Sequence, residues 1–245
     1  MGDRSEALFI KRAKELAQRA ENTGLSFHTE FMTVNEQSAL RALRFPVTCA
    51  FYGGYESAER VIAVFGEDAE PSGYIACVEI MPKQQKFADT LTHRDFLGAL
   101  MNLGVRRETM GDILVVENTG YLFCLTGIAA FILQNLDRVK RTAVVCSLSQ
   151  PPQRMAAQPE PVSIVVASLR ADALLSAAFR LSRDQSKTAV SEGRLFINGK
   201  QSFQASLALK EGDVLSLRGV GRVEYVGAER ETKHGKLRVL ARIYG

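Results

Sequence analysis

A proline-rich segment divides this chain into two parts that must fold separately. Residues 150–161, QPPQRMAAQPEP, contain four of the seven prolines of the 245-residue sequence. Proline lacks an amide donor and favours extended polyproline-II backbone, so helix or sheet is not expected there. The segment predicts a linker, and we expect each side of it to have its own hydrophobic core.

The two parts differ in charge. Residues 1–162 hold 17 Lys and Arg against 19 Asp and Glu, a net charge of −2, whereas residues 163–245 hold 14 against 8, a net charge of +6. A basic module beside a near-neutral body is typical of proteins that bind a polyanion. The overall composition, 46% hydrophobic and 24% charged, excludes wholesale disorder.

Nothing in the sequence indicates secretion or membrane insertion. Residues 1–19 lack an apolar core of signal-peptide length. The longest uncharged run, 118–136, contains Asn, Gln and Gly residues and predicts a strand and a buried helix instead of a membrane span. We expect a cytoplasmic protein. Four cysteines in apolar stretches, without C-x-x-C spacing, predict buried free thiols at Cys49, Cys77, Cys124 and Cys146.

Residues 1–72 predict a small α/β unit. Apolar residues recur at helical spacing as far as Ala20, and Gly24 ends that helix. A second helix is predicted over Val34–Leu43. Two β-prone runs follow, Val47–Phe51 and Arg60–Phe65.

Residues 73–149 predict a β-α-β-β-α-β order, the split βαβ arrangement of ferredoxin-like folds, which include RNA-recognition motifs. Thr92 and Asp95 have the spacing of a capping box for the first helix. The run 117–120 is a hairpin signal. The strand Tyr121–Leu125 lacks the aromatic residues on which such motifs stack bases, so stacking on the sheet is not expected. The other predicted elements are strands at Tyr74–Met81, Asp112–Val116 and Thr142–Leu148 and helices to Leu103 and over Ile128–Leu136.

The basic module, residues 162–245, places cations beside a helix start. A helix is predicted over Ala171–Phe179, and Ser182 with Gln185 forms a capping-box pattern for a second helix. Arg183 and Lys187 stand four residues apart and project from one face of that helix, where a phosphate is favoured. The same spacing is typical of a solvated helix face, and only the basic charge of the whole module favours RNA.

Five spaced motifs in this module resemble the alpha-L RNA-binding domain, which is named for the fourth protein of the small ribosomal subunit. They are Leu169-Arg170-x-Asp172, Ser182-Arg183-x-x-x-Lys187, Gly193-x-x-x-x-Asn198-Gly199-Lys200, Gly212-Asp213 and Arg218-Gly219. Asp184 departs from the small or basic residue of that family. The resemblance implies that a helix pair and the following loop clamp structured RNA. The predicted RNA-binding residues are Arg170, Arg180, Ser182, Arg183, Lys187, Lys200, Arg218 and Arg222.

Nearly the whole chain resembles YlmH-type proteins, which are bacterial and plastid RNA-binding factors. The resemblance rests on FYGGYESAERVIAVF at 51–65, THRDFLGALMNLGVRRETMGDI at 92–113 and the basic module, in this order. Thr33-Val34-Asn35-Glu36 departs from an expected Asp-Pro-like turn. The resemblance implies binding to the large ribosomal subunit with stalled peptidyl-tRNA, and a role in ribosome-associated quality control with template-free alanine addition. Some members are linked to a cell-division gene cluster.

Two polar motifs of the body have alternative interpretations. Arg106 and Arg107 lie on a predicted loop and are predicted as secondary RNA contacts. His93 and Asp95 could form an acid–base pair, but their spacing at a helix start puts them on different faces and favours capping.

An enzyme is the main rival interpretation. Arg94-Asp95-Phe96 only faintly resembles the Arg-Leu-Asp setting of pseudouridine synthases, which often carry alpha-L domains. A glycine-rich cofactor loop, a nucleophile elbow and metal-ligand spacing are all missing from the sequence. We therefore expect no catalytic residue, metal or cofactor, and a monomer that binds ribosomal RNA, tRNA and the large subunit. A cell-division or assembly scaffold whose RNA binding is incidental is the third interpretation.

Overall fold

The computed structural model describes residues 2–67, 70–152, 159–232 and 235–244, with side chains from residue 6 onward. The chain divides into two compact units, Met1–Ala157 and Gln158–Gly245. Their boundary falls inside the predicted linker 150–161, of which residues 153–158 lie outside the described residues. The fold is mixed α and β, with six α-helices in the described residues.

The helices are α1 (Gly2–Thr23), α2 (Val34–Arg41), α3 (His93–Asn102), α4 (Thr126–Asn135), α5 (Ala171–Phe179) and α6 (Arg183–Ser191). The strands of the first unit are β1 (Phe27–His28), β2 (Cys49–Tyr52), β3 (Ile62–Phe65), β4 (Ile75–Pro82), β5 (Met110–Val116), β6 (Thr119–Leu125), β7 (Arg138–Val139) and β8 (Thr142–Ser149). Those of the second unit are β9 (Val162–Val166), β10 (Leu195–Ile197), β11 (Lys200–Gln201), β12 (Val214–Leu217), β13 (Gly221–Glu231) and β14 (Leu237–Tyr244).

The N-terminal part of the first unit packs α1 and α2 against the sheet β1-β3-β2. Three small residues of α1, one to each turn, are buried because they form the face that packs on the sheet: Ala13, Ala17 and Ala20. The second helix ends at Arg41, two residues before the predicted end. Its start is a capping box of Thr33 and Glu36, so the motif that departs from the family pattern forms a helix N-terminus.

The remainder of the first unit is a five-stranded antiparallel sheet in the order β5-β6-β4-β8-β7. Its elements follow the predicted β-α-β-β-α-β order, with the two-residue strand β7 added before β8. The core between the sheet and helices α3 and α4 contains fully buried Phe96, Leu100 and Ile132. Glu117 and Asn118 have φ of 46° and 69°, as a tight two-residue hairpin turn requires.

Strand β3 is buried along its whole length between the two parts of the first unit. Ile62 and Val64 cluster with Phe31, and Tyr74, just before β4, and Ile75, the first residue of β4, pack against this cluster. A Cβ on Gly111 would lie 2.6 Å from the ring of Phe31. A side chain is thus excluded at that glycine, which stands in one of the family-like motifs.

The second unit is a six-stranded antiparallel sheet in the order β11-β10-β12-β13-β14-β9, with α5 and α6 packed on one face. The helix at 171–179 and the strands at 195–197 and 214–217 have their predicted bounds, and the second helix ends at Ser191. Strands β9, β11, β13 and β14 were not predicted. Strand β13 does not show a regular alternation of apolar and polar residues, because its register with β14 shifts at two places.

The run 118–136 contains β6 and helix α4, so the predicted strand and helix are both present. The helix is not buried as a whole, because only Ala129 and Ile132 of α4 are buried and its other face is exposed. None of the described helices is long and apolar enough to cross a membrane. All four cysteines are free. Burial raises the pKa of Cys77 and Cys124 to about 12 and the pKa of Cys49 and Cys146 to about 11, so the thiols are protonated at neutral pH.

Candidate nucleic-acid interface

The start of α6 is held by a complete capping box. The Gln185 amide donates to Oγ of Ser182 at 3.1 Å, and the Ser182 amide donates to Oε1 of Gln185 at 2.8 Å. Arg180, with φ of 54°, adopts the left-handed conformation that turns the chain from α5 into α6. Because the helix start is fixed in this way, Arg183 and Lys187 project from its first two turns. Ser182 itself is engaged in this cap.

Arg183 and Lys187 line a cleft of about 570 Å³ in the second unit. Arg170, at the N-cap of α5, and Lys236, just before β14, line the same cleft. Four cations therefore converge on one concavity, whereas Asp172 is the single acid among the described residues that line it. Such a cleft attracts an anion with several charged oxygens, and a nucleic-acid phosphate has this chemistry.

Asp172 pairs with Arg170 within this cleft. Its carboxylate accepts from Nε of Arg170 at 3.1 Å and from Nη2 at 2.8 Å, and it also accepts from the Ala173 amide at 2.9 Å. Asp172 therefore has a structural role, as the partner of Arg170 and an acceptor at the start of α5. The pair fixes the Arg170 side chain, which remains 44% exposed.

Five predicted residues do not line the cleft: Arg180 and Ser182, at the turn into α6, and Arg222, Arg218 and Lys200. Arg222 lies on β13 directly opposite Ser216 and Tyr244, and its guanidinium sits 3.9 Å from the centroid of the Tyr244 ring. Successive residues of a strand face opposite sides, so Arg222 points away from the core that contains its neighbour Val223. Arg218, after β12, likewise stacks 4.6 Å from the ring centroid of Phe196. Lys200 is exposed on the edge strand β11.

Five of the eight predicted RNA-binding residues thus fall into two groups, and Lys236 joins the first of them, whereas Arg180, Ser182 and Lys200 belong to neither. The cleft group comprises Arg170, Arg183, Lys187 and Lys236, and the outer-face group comprises Arg218 and Arg222, each stacked on a ring. Lys236 was missed by sequence reasoning. Lys236 lies in a charged stretch without a motif. The basic net charge of residues 163–245 is the only sequence signal that could have pointed to it.

Arg106 and Arg107 of the first unit are both engaged within the protein. Arg106 pairs with Glu30 and lies 3.7 Å from Glu108. Arg107 donates to the carbonyls of Met110 and Gly111 at 2.9 and 3.1 Å. Burial lowers the pKa of its guanidinium. Their predicted contact with RNA stays a prediction.

Asp95 belongs to the capping box of α3, as predicted. Its Oδ2 accepts from the amide and hydroxyl of Thr92 at 2.8 and 2.7 Å and lies 3.0 Å from Nζ of Lys140. These hydrogen bonds hold the pKa of Asp95 at about 2. Burial lowers the pKa of the adjacent His93. A carboxylate with such a low pKa is a weak proton acceptor. Its role here is to cap the N-terminus of α3. In the described part of the chain, His, Cys, Asp and Glu form no group of three or more that could hold a metal ion.

Residues 74–151 match the family described as a putative RNA-binding domain in YlmH. The chain is 32% identical, over 248 residues, to ribosome-associated protein quality control protein P2 of Bacillus subtilis (strain 168), covering 96% of this chain and 94% of that protein. A solved structure, cell division protein ylmH from Streptococcus pneumoniae, aligns with a TM-score of 0.49 and 24% identity over 59% of this chain and 91% of that one. The match to the Bacillus protein along almost the full length of both chains shows that this chain belongs to the YlmH family.

Proposed function

We propose that the chain is a non-enzymatic RNA-binding factor of the large ribosomal subunit. It engages ribosomal RNA and tRNA in ribosome-associated quality control of stalled peptidyl-tRNA complexes, where C-terminal alanine is added to the stalled chain. The name of the Bacillus relative supports the quality-control role, and the family matched by residues 74–151 supports RNA binding. The site of action is the cytoplasm, and the chain acts as a monomer.

The cleft lined by Arg170, Arg183, Lys187 and Lys236 is the observation that carries this proposal. It lies in the part of the chain with a net charge of +6. The helix pair α5–α6 that builds it carries the alpha-L motifs, and we assign residues 162–245 to that domain. Within the first unit, residues 1–72 are assigned to an N-terminal α/β part and residues 73–149 to a ferredoxin-like domain, and residues 150–161 are assigned to the linker.

The cleft would act on the RNA backbone. Arginine and lysine bind phosphate oxygens regardless of the base, so these contacts fix the position of a folded RNA and supply affinity without reading its sequence. Each neutralised phosphate releases counterions, which makes the affinity steeply dependent on salt. Arg218 and Arg222 would make a second contact with the RNA, on the outer face of the same sheet.

A pseudouridine-synthase-like enzyme is the less favoured alternative. Such an enzyme needs a catalytic aspartate, and the only similar motif contains Asp95, whose Oδ2 is bound by Thr92 and Lys140. A cell-division or assembly scaffold is the other alternative. It predicts that loss of RNA contacts leaves the function unchanged.

Co-sedimentation with purified large subunits, with and without bound peptidyl-tRNA, tests the proposal. We expect the wild-type chain to bind the subunits carrying peptidyl-tRNA more strongly, and Arg183→Ala with Lys187→Ala to abolish this preference. Lys11→Ala with Lys14→Ala removes two exposed cations from α1 and serves as the matched control. Equal, weak binding by the wild-type chain and the Arg183/Lys187 variant would refute a role on these complexes.

A further inference from the structure

We propose that the first unit has its own RNA contact, in which Phe87 stacks on an unpaired base and nearby lysine and arginine side chains hold the flanking phosphates. The surface consists of the loop 83–92, which follows β4, and the turn 140–142 between β7 and β8; we call it the Phe87 surface. This inference rests on the proposed function, because it names the RNA feature that a part of the first unit would recognise.

Phe87 has an unusual exposure for a phenylalanine. Its side chain is 77% exposed, the largest value among the large apolar side chains in the described part of the chain. It ends a short 3-10 turn, Gln85–Phe87, near the middle of the loop 83–92. An isolated exposed aromatic ring is favourable when a planar partner covers it, and unpaired nucleotides offer such a face.

Cations lie on both segments of the Phe87 surface. Nζ of Lys86 lies 5.7 Å from the centroid of Phe87, within reach of a cation–π contact. Lys83 is exposed at the start of the loop, and its amide donates to the carbonyl of Ala143 at 2.9 Å, beside the β7–β8 turn. That turn contributes exposed Lys140 and Arg141. Stacking rings interleaved with cations are typical of surfaces that bind single-stranded nucleic acid.

Basic residues continue from the turn toward α3. Arg94 and Arg138 are exposed and line, with Lys140, a cleft of about 470 Å³. Two acidic residues, Asp95 and Asp137, line the same cleft, and Lys140 is paired with Asp95 at 3.0 Å. The cations still exceed the acids here, although residues 1–162 have a net charge of −2.

The loop is held in place by hydrogen bonds beyond its tip. The amide of Asp89 donates to Oγ1 of Thr142 at 2.9 Å. Asn118 bridges the loop, since its Nδ2 donates to the Asp89 carbonyl at 2.9 Å and its Oδ1 accepts from the Leu91 amide at 2.6 Å. Lys140 donates to the Thr90 carbonyl at 3.4 Å. An ordered loop loses little entropy when it binds, which favours a preformed platform.

The face of the sheet is a poorer candidate for the same RNA. Strands β4, β5, β6 and β8 are described in full, and their charged residues are Glu79 and Asp112, with no lysine or arginine among them. Glu79 lies directly opposite Tyr121 and Ser147, at the middle of the sheet. A carboxylate at that position repels a phosphate backbone. The charge distribution therefore favours the Phe87 surface over the sheet.

The absence of tryptophan from the sequence allows a direct test of stacking. Phe87→Trp would introduce a single indole, whose fluorescence a stacked base quenches. We expect saturable quenching by a single-stranded oligouridylate and little quenching by a duplex RNA of equal length. Phe131→Trp is the matched control, since Phe131 is an exposed phenylalanine of the same unit, on α4. Equal quenching of both variants, or of Phe87→Trp by both RNAs, would overturn the proposal.

Substitutions in the Phe87 surface should weaken the binding of the oligouridylate. Phe87→Ala is expected to weaken binding by roughly 5- to 100-fold, as expected for the loss of one stacked base, whereas Phe131→Ala should leave it unchanged. Lys83→Gln with Lys86→Gln should weaken binding and flatten its salt dependence, in contrast to Lys11→Gln with Lys14→Gln.

Repeating the titrations in the Arg183→Ala and Lys187→Ala background separates the two proposals. Quenching that persists there supports an independent Phe87 surface, even if binding to the large subunit is lost. Quenching by large subunits but not by RNA would assign Phe87 to a protein contact and overturn this inference, while leaving the cleft of the second unit untouched.

Discussion

The phenol of Tyr55 donates a 2.8 Å hydrogen bond to Oδ2 of Asp112, 57 residues further along the chain. The amides of Glu59 and Arg60 donate to the same carboxylate at 2.6 and 3.2 Å. The Arg60 guanidinium in turn donates to the carbonyls of Met110, Phe31 and Arg107. The two motifs of the first unit that carry the family resemblance therefore meet in one junction, whose role is structural.

Asp112→Ala should destabilise the first unit by about 2–4 kcal/mol, because three donors lose their charged acceptor. Tyr55→Phe removes one of these bonds and should cost about 1.5 kcal/mol. Amide hydrogen exchange of the β5–β6 hairpin measures both changes locally. Asp137→Ala, at an exposed aspartate, should stay within about 0.5 kcal/mol of the wild-type chain. An equal effect of the Asp112 and Asp137 substitutions would contradict the junction.

Ser182→Ala should destabilise the second unit by about 1 kcal/mol, since the N-terminus of α6 loses the acceptor for the Gln185 amide. RNA affinity should fall as well, because the cap positions Arg183. Ser182→Thr keeps a hydroxyl acceptor and should restore both properties. Thermal unfolding and filter binding measure them, and loss of affinity in the threonine variant would show that Ser182 acts other than as a cap.

Lys236→Gln should weaken RNA binding as much as Lys187→Gln, because both side chains line the cleft. Each substitution should reduce the slope of log affinity against log salt by about 1, the value expected for one phosphate contact. Lys210, an exposed lysine of the same unit that does not line the cleft, supplies the control Lys210→Gln. A slope unchanged by Lys236→Gln would remove that residue from the site.

The capping carboxylate of α3 predicts a pH dependence. The pKa of Asp95 in the folded chain is about 2, below its ordinary value, so ionisation of Asp95 stabilises the fold. That contribution is complete above the ordinary pKa of an aspartate and is lost as the pH falls toward 2. Asp95→Asn should therefore lower the melting temperature at neutral pH, and the difference from the wild-type chain should shrink between about pH 4 and pH 2. A difference that is constant over this range would refute the assignment.

Much of the local structure was predictable because it depends on residues three or four positions apart. The pairs Thr92 with Asp95 and Ser182 with Gln185 form the predicted capping boxes, and the hairpin at Glu117 forms as expected. Strand β13 was missed, because its shifts in register break the alternation by which a strand is recognised. Thr33 and Glu36 also form a capping box, although their motif departs from the turn expected in the family.

The sequence by itself determined that the second unit is basic and that Arg183 and Lys187 share one helix face, since both follow from composition and helical period. Only the tertiary structure decides which cations line the same cleft. Lys236 reaches the cleft of Arg170 because β14 pairs with β9, which brings distant parts of the chain together. Arg222 faces away from the core because its register with Ser216 and Tyr244 places it there, and a slip of one residue would reverse it. The pairing of Arg222 with Tyr244 joins residues 22 positions apart, and no local pattern in the sequence specifies it.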